Sequence, residues 1–200
     1  MVSSAQQSIE RQATTILERL ETGTHRAYIG EPVSQLEHGL QCAELANRAG
    51  ASEHIILAAL LHDVGHLIHD DGPSMAGLGA IDHEGIGANW LLKLGLNSTI
   101  AHLVRHHVSA KRYLCHRYPK YLARLSDASR GTLDWQGGAM SAREANAFET
   151  DAHFESLLQL RTFDERAKEP GATVTPLAEY KPMLCRHLTV SGPGIGDPRA

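Results

Sequence analysis

A chain of 200 residues, 42% hydrophobic and 21% charged, is long enough to bury a real core, which excludes a disordered segment or a small disulfide scaffold. Its 19 Lys and Arg against 23 Asp and Glu give a net charge of -4 and no basic field, which argues against a nucleic-acid binder that works by neutralising phosphates. Thirteen histidines exceed what a surface and a few helix caps usually need, and they direct attention to metal ligation.

Apolar residues recur at helical spacing along nearly the whole chain and no short window alternates, so an all-α bundle is predicted, as one domain over 1–190. The first helix runs through Ile9, Ala13, Ile16, Leu17 and Leu20 and ends before Gly23. Ser34 with Glu37 forms a capping box that opens a helix carrying His38 to about Asn47. Ser52 is placed as the cap of a helix over 53–62, whose 55–61 run is apolar all round and belongs at the centre of a bundle. Gly and Asp mark 70–82 as a loop. Helices follow over 83–94, closed by Gly95, and over 98–108, with Asn97 as N-cap. Pro119 starts a helix to about Arg130, 131–139 reads as a loop, and Ser141 with Glu144 makes a second capping box. Helices over 151–166 and 177–188 end the domain, and the Gly- and Pro-rich tail 191–200 is expected to be disordered. Cys42, Cys115 and Cys185 are odd in number and never form a C-x-x-C pair, which disfavours disulfides and thiolate zinc and suits a reducing cytoplasm. No secretory leader and no apolar run of about 18 residues is seen, so no membrane association is expected.

The strongest local signal is His62-Asp63-Val64-Gly65-His66. An imidazole and a carboxylate emerge together at the end of a buried helix, and the two oxygens of Asp63 suffice to bridge two metals. Taken alone, the pair fits equally well a capping His beside a solvated Asp. Four further positions weigh against that. His38 lies on a largely uncharged helix, His83 starts a helix, and His107, rather than His106, shares a stripe with Ile100 and Val104. Asp164 falls in register with Leu157 and Leu160, so a carboxylate faces the core and needs a cation. Imidazoles and carboxylates without thiolate suit iron, manganese or zinc.

The succession His38, His62-Asp63, His83, His107 and Asp164 resembles the HD-domain superfamily over about 28–188. Finer segments, namely Tyr28-Ile-Gly-Glu31, Gln35-Leu-Glu-His38, Ala58-Ala-Leu-Leu-His-Asp63, His107-Val-Ser-Ala-Lys-Arg-Tyr-Leu114, Leu125-Ser-Asp-Ala-Ser129 and Trp135-Gln-Gly-Gly138, resemble the mixed-valent diiron oxygenases of the PhnZ/TmpB type, which break a carbon-phosphorus bond. The resemblance implies one iron on His38, His62, Asp63 and Asp164 and a second on Asp63, His83 and His107. It further implies an Fe(II)/Fe(III) pair that uses O2 as co-substrate. The implied substrate is an organophosphonate, 1-hydroxy-2-(trimethylammonio)ethylphosphonate or 2-amino-1-hydroxyethylphosphonate, supplied by an upstream hydroxylase and yielding phosphate with glycine betaine or glycine. By the same resemblance Tyr28 fills an open iron position, Glu31 moves with it as a gate, and Gln35 stands beside them.

Other residues are read physically. Lys111, one turn beyond His107, is expected to hold the phosphonate if that helix extends far enough. Arg161 either clamps the phosphonate or braces Asp164, Ser129 turns its hydroxyl inward in register with Leu122 and Leu125, and His66 helps to hold the anion. Trp90 and Trp135 are read as core, with one of them a candidate neighbour of a substrate ammonium. The 68–82 segment is low in aromatic residues and carries Asp70, Asp71 and Asp82, carboxylates that suit either cation, and the reading leans slightly to the trimethylammonium substrate. The competing class is an HD phosphohydrolase, against which stand the Tyr28–Glu31 gate and the second metal position.

Overall fold

Seven successive buried apolar residues, Ile55 to Leu61, make α3 (Glu53–Leu61) the axis around which the other helices assemble in the computed structural model. The structure describes residues 3–28, 30–68, 75 and 80–190. The remaining elements are α1 (Ser4–Glu21), α2 (Gln35–Arg48), α4 (Gly65–Ile68), α5 (His83–Lys93), α6 (Ser98–Arg117), α7 (Pro119–Arg124), α8 (Asp127–Trp135), α9 (Ala142–Phe148), α10 (Phe154–Arg166) and α11 (Lys181–Arg186), with 3-10 turns at Thr22–His25 and Leu177–Tyr180. No strand occurs among the described residues; isolated bridges join Ala27 with Ser34 and Leu96 with Leu188. The all-α expectation therefore holds.

Helix α2 packs on α3, α5 on α6, and α10 closes the bundle against α2, α3 and α6. Both capping boxes form: Ser34 and Ser141 accept from the amides of Glu37 and Glu144, whose carboxylates return to the cap amides. Asn97 accepts from Thr99 N at 2.8 Å. Ser52 occupies the N-cap position of α3, but its hydroxyl caps nothing there.

Three expected boundaries are corrected. Helix α6 does not stop at 108 but continues to Arg117, because its inner face stays occupied through Ala110, Lys111, Tyr113 and Cys115. The helix expected from Pro119 to Arg130 is two, because Leu125 (φ -55°, ψ 138°) leaves the helical region and Ser126 recaps α8 by accepting from Ser129 N; α8 then fills part of the expected 131–139 loop. Helix α10 begins at Phe154, since Asp151 spends a carboxylate oxygen on the amide of His153. The predicted disordered tail, 191–200, lies outside the described residues, as does most of the 70–82 loop.

Close approach of α4 to α5 sets the spacing of the site. A Cβ on Gly65 would come within 1.9 Å of the His83 carbonyl oxygen, so only glycine lets these backbones meet. Gly65→Ala is accordingly expected to lower stability by at least the roughly 1–3 kcal/mol typical of overpacking. An unchanged thermal midpoint would show that α4 and α5 separate without cost.

Candidate metal centre and its pocket

Asp63, just past the C-terminus of α3, stands between two pairs of imidazoles. Its Oδ2 lies 3.2 Å from His62 Nε2 and 3.8 Å from His38 Nε2, while Oδ1 lies 3.2 Å from His83 Nε2 and 3.5 Å from His107 Nε2. Within each pair the Nε2 atoms approach to 3.1 Å (His38, His62) and 3.2 Å (His83, His107). Asp164 Oδ1 joins the first pair, 3.3 Å from His38 and 3.9 Å from His62. Four helices, α2, α3, α5 and α6, deliver the histidines, and α10 brings Asp164.

The outer edges of these rings fix what the inner edges offer. Nδ1 of His38, His62 and His107 donates to the carbonyls of Ala167, Ala59 and Val104 at 2.9, 2.8 and 2.8 Å, and a carbonyl only accepts. With Nδ1 so committed, Nε2 is the ring nitrogen that faces inward in each case, and in the neutral ring its lone pair is directed at the centre of the site, as in metal-binding imidazoles steadied from behind. Burial works against charge on His62, but the adjoining Asp63, with Asp164 behind it, outweighs burial and lifts its pKa to about 9. Asp63 and Asp164 stay well below the usual carboxylate range in spite of burial, held there chiefly by His62 and by Arg161 respectively. Converging imidazole nitrogens, from which a bound cation would displace the His62 proton, and ionised carboxylates in a nearly solvent-free site make a donor set that fits a hard or borderline divalent metal.

A pocket opens beside Asp63, His83 and His107. Tyr28, Glu31, Gln35, His66, Lys111, Ser129 and Arg161 all line it. Tyr28 stacks on the His38 ring at 3.9 Å between centroids, and Glu31 pairs with Lys168 at 2.6 Å. His66 stacks on His83 at 3.9 Å and accepts from Ala80 N through Nδ1, so Nε2 carries the proton; burial pushes its pKa down to about 3, leaving a neutral donor. Lys111 is almost fully buried, donates to Thr132 Oγ1 at 2.9 Å, and is driven by burial and by nearby Arg161 down to about 7.

Arg161 lines the pocket and braces Asp164: NH1 donates to Asp164, NH2 to Glu165, and Nε to the Tyr121 hydroxyl at 2.8 Å. Ser129 lines the pocket, though the register with Leu122 that pointed to it crosses the break between α7 and α8. Trp90 is buried, whereas Trp135 is 52% exposed and belongs to no core. Asp82 is exposed at the start of α5 and does not line the pocket; Asp70 and Asp71 lie outside the described residues. Sequence reasoning missed Thr132 and Gln136, one and two turns beyond Ser129 on a helix that had been ended too early; Gln136 Oε1 is buried without a hydrogen-bond partner. It also missed Cys42, whose Sγ lies 3.7 Å from His38 Nε2 and whose position four residues after His38 was the available signal.

Residues 36–135 match the HD domain model. The chain is 40% identical over 187 residues to the uncharacterized protein L432 of Acanthamoeba polyphaga mimivirus, covering 92% of this chain and 85% of that one. It is 41% identical over 160 residues to the [1-hydroxy-2-(trimethylamino)ethyl]phosphonate dioxygenase (glycine-betaine-forming) of Leisingera caerulea, covering 80% and 81%. A third relative, the hydroxymethylphosphonate dioxygenase of Gimesia maris, is 38% identical over 157 residues, 78% of each chain. With the helical bundle and the His and Asp cluster in place, the chain belongs to the HD-domain family and, within it, to the PhnZ/TmpB-type phosphonate dioxygenases.

Proposed function

We propose that this protein is a mixed-valent diiron oxygenase that uses O2 to cleave the carbon-phosphorus bond of 1-hydroxy-2-(trimethylammonio)ethylphosphonate or 2-amino-1-hydroxyethylphosphonate, releasing phosphate with glycine betaine or glycine. The observation that carries this reading is one carboxylate, Asp63, presenting opposite oxygens to two imidazole pairs at the edge of a pocket that also contains a buried lysine. His38, His62, Asp63 and Asp164 would hold one iron, and Asp63, His83 and His107 would hold the other. When bound, the Fe(II)/Fe(III) pair supplies dioxygen activation, chemistry that no side chain of the pocket supplies.

The chain's own groups bind and orient. Lys111 meets the phosphonate as a cation, His66 offers an Nε2 proton, and Ser129 adds a hydroxyl. Tyr28 covers His38 and, with Glu31 and Gln35, closes the entrance until substrate arrives, which limits dioxygen reduction without substrate. The enzyme acts in the cytoplasm and takes its 1-hydroxy substrate from an upstream hydroxylase; among the described residues no helix is long and apolar enough to cross a membrane.

Lys111→Ala is expected to raise KM for the phosphonate by about 1.5–3 kcal/mol, the value of a charge-assisted hydrogen bond. Because the folded pKa is lowered from 10.5 to about 7, the cation is present below that pH and lost above it. Wild-type KM should therefore climb above about pH 7, and the variant should lose that contribution to the climb; an unchanged KM would remove Lys111 from the substrate.

The deciding experiment follows phosphate release by the iron-loaded protein from the two hydroxyphosphonates, with and without O2. Oxygen-dependent phosphate supports the proposal, and the faster substrate identifies the amine. Oxygen-independent phosphate, or nucleotide hydrolysis alone, would make the protein an HD phosphohydrolase.

A further inference from the structure

Glu31 and Asp63 are the carboxylates that line the pocket among the described residues; Asp63 faces the imidazoles, whereas Glu31 is paired with a lysine. Its charge is already answered from within the protein. Lys168 Nζ donates to Glu31 Oε1 at 2.6 Å and to Ser126 Oγ at 3.1 Å, in a contact whose side chains are only 16% and 11% exposed for the lysine and the glutamate. Lys168 itself does not line the pocket; it stands behind Glu31.

The position of this lysine is rigidly determined. It follows Ala167, whose carbonyl accepts from His38 Nδ1, and precedes Glu169, whose backbone exchanges two hydrogen bonds with the Gln41 amide. On the other side, the segment carrying Glu31 is seated on α8. Gly30 adopts φ 75°, and a Cβ there would come within 2.9 Å of Ala128 Cβ. One ammonium therefore ties Glu31, which lines the pocket, to two segments behind it: the N-cap of α8 and the strap that follows α10.

We propose that Lys168 is a positioning residue that sets the charge preference of the pocket, an internal cation that occupies Glu31 and with which a cationic substrate must compete. A phosphonate without an ammonium group leaves the Lys168–Glu31 pair intact, whereas one bearing an ammonium pulls Glu31 away from it. The inference rests on the phosphonate reading of the pocket, and it assigns to Lys168 the discrimination between the two chemical classes of substrate rather than any step of the reaction.

The test compares Lys168→Met and Lys168→Arg with the wild type, each metal-loaded and kept anaerobic, by equilibrium binding of 1-hydroxy-2-(trimethylammonio)ethylphosphonate and of hydroxymethylphosphonate. In Lys168→Met the uncompensated Glu31 is expected to favour the cationic ligand and repel the other, shifting the ratio of the two dissociation constants by at least about tenfold, the size of a lost charge-assisted bond. Lys168→Arg, which keeps the cation, is expected to retain the wild-type ratio. Under O2 the same shift should appear in the ratio of KM values more than in kcat. A Lys168→Met ratio equal to that of the wild type, whatever the common loss of affinity, would reduce Lys168 to a structural brace and overturn the proposal. Failure of the wild type to bind either phosphonate would overturn the substrate reading and this inference with it.

Discussion

Asp63→Asn is expected to abolish turnover and to leave at most one metal per chain. An asparagine has one carbonyl oxygen, so one of the two imidazole pairs would face an amide NH2, a donor directed at nitrogens that themselves must accept. The neighbouring pair would keep an oxygen but lose its negative charge, and His62, whose proton affinity is raised chiefly by Asp63, would lose its main electrostatic partner. The loss should far exceed the roughly 10 to 100-fold that removal of an outer-shell partner costs a metal site. Elemental analysis of the purified variant, its electron paramagnetic resonance signal and its phosphate release read the three consequences separately. Retained turnover would remove Asp63 from the bridging position.

Arg161→Ala is expected to be the most destabilising single change around the site. The guanidinium is almost fully buried, and its removal leaves Asp164, Glu165 and the Tyr121 hydroxyl without their common partner. Breaking such a buried pair costs about 3–5 kcal/mol. The cost should be greatest in the metal-free protein and smaller once metal is bound, because the metal then supplies Asp164 with a cation. Denaturant unfolding of both forms measures the difference. A deficit that metal does not reduce would separate Asp164 from the metal. A rise in KM as large as that of Lys111→Ala would restore Arg161 to the phosphonate.

These expectations draw on features legible to different degrees in the sequence. Capping boxes at Ser34 and Ser141 and the apolar run of α3 are local patterns, and the structure reproduces them because their energetics are local. The break at Leu125 is not local in the same sense. Nothing between Pro119 and Arg130 forbids a continuous helix by propensity; the chain turns there because α8 must cover the pocket, with Ser126 supplying a new cap. Ending α8 early in the sequence reading concealed Thr132 and Gln136.

Residue chemistry and helical period were enough to select the six convergent side chains, since a buried carboxylate such as Asp164 and histidines on apolar stripes are anomalous wherever they occur. They were also enough to choose His107 over His106, which bonds to the carbonyl of His102 instead. The sequence by itself therefore determined the helical class and the six imidazole and carboxylate side chains that converge, though not Cys42 beside them. The tertiary structure alone decided which oxygen of Asp63 faces which imidazole pair, that Arg161 is committed to Asp164, and that Glu31 is held by Lys168, 137 residues away along the chain. Periodicity fixes the face of a helix on which a side chain lies, but partners contributed by different helices are chosen by how those helices pack.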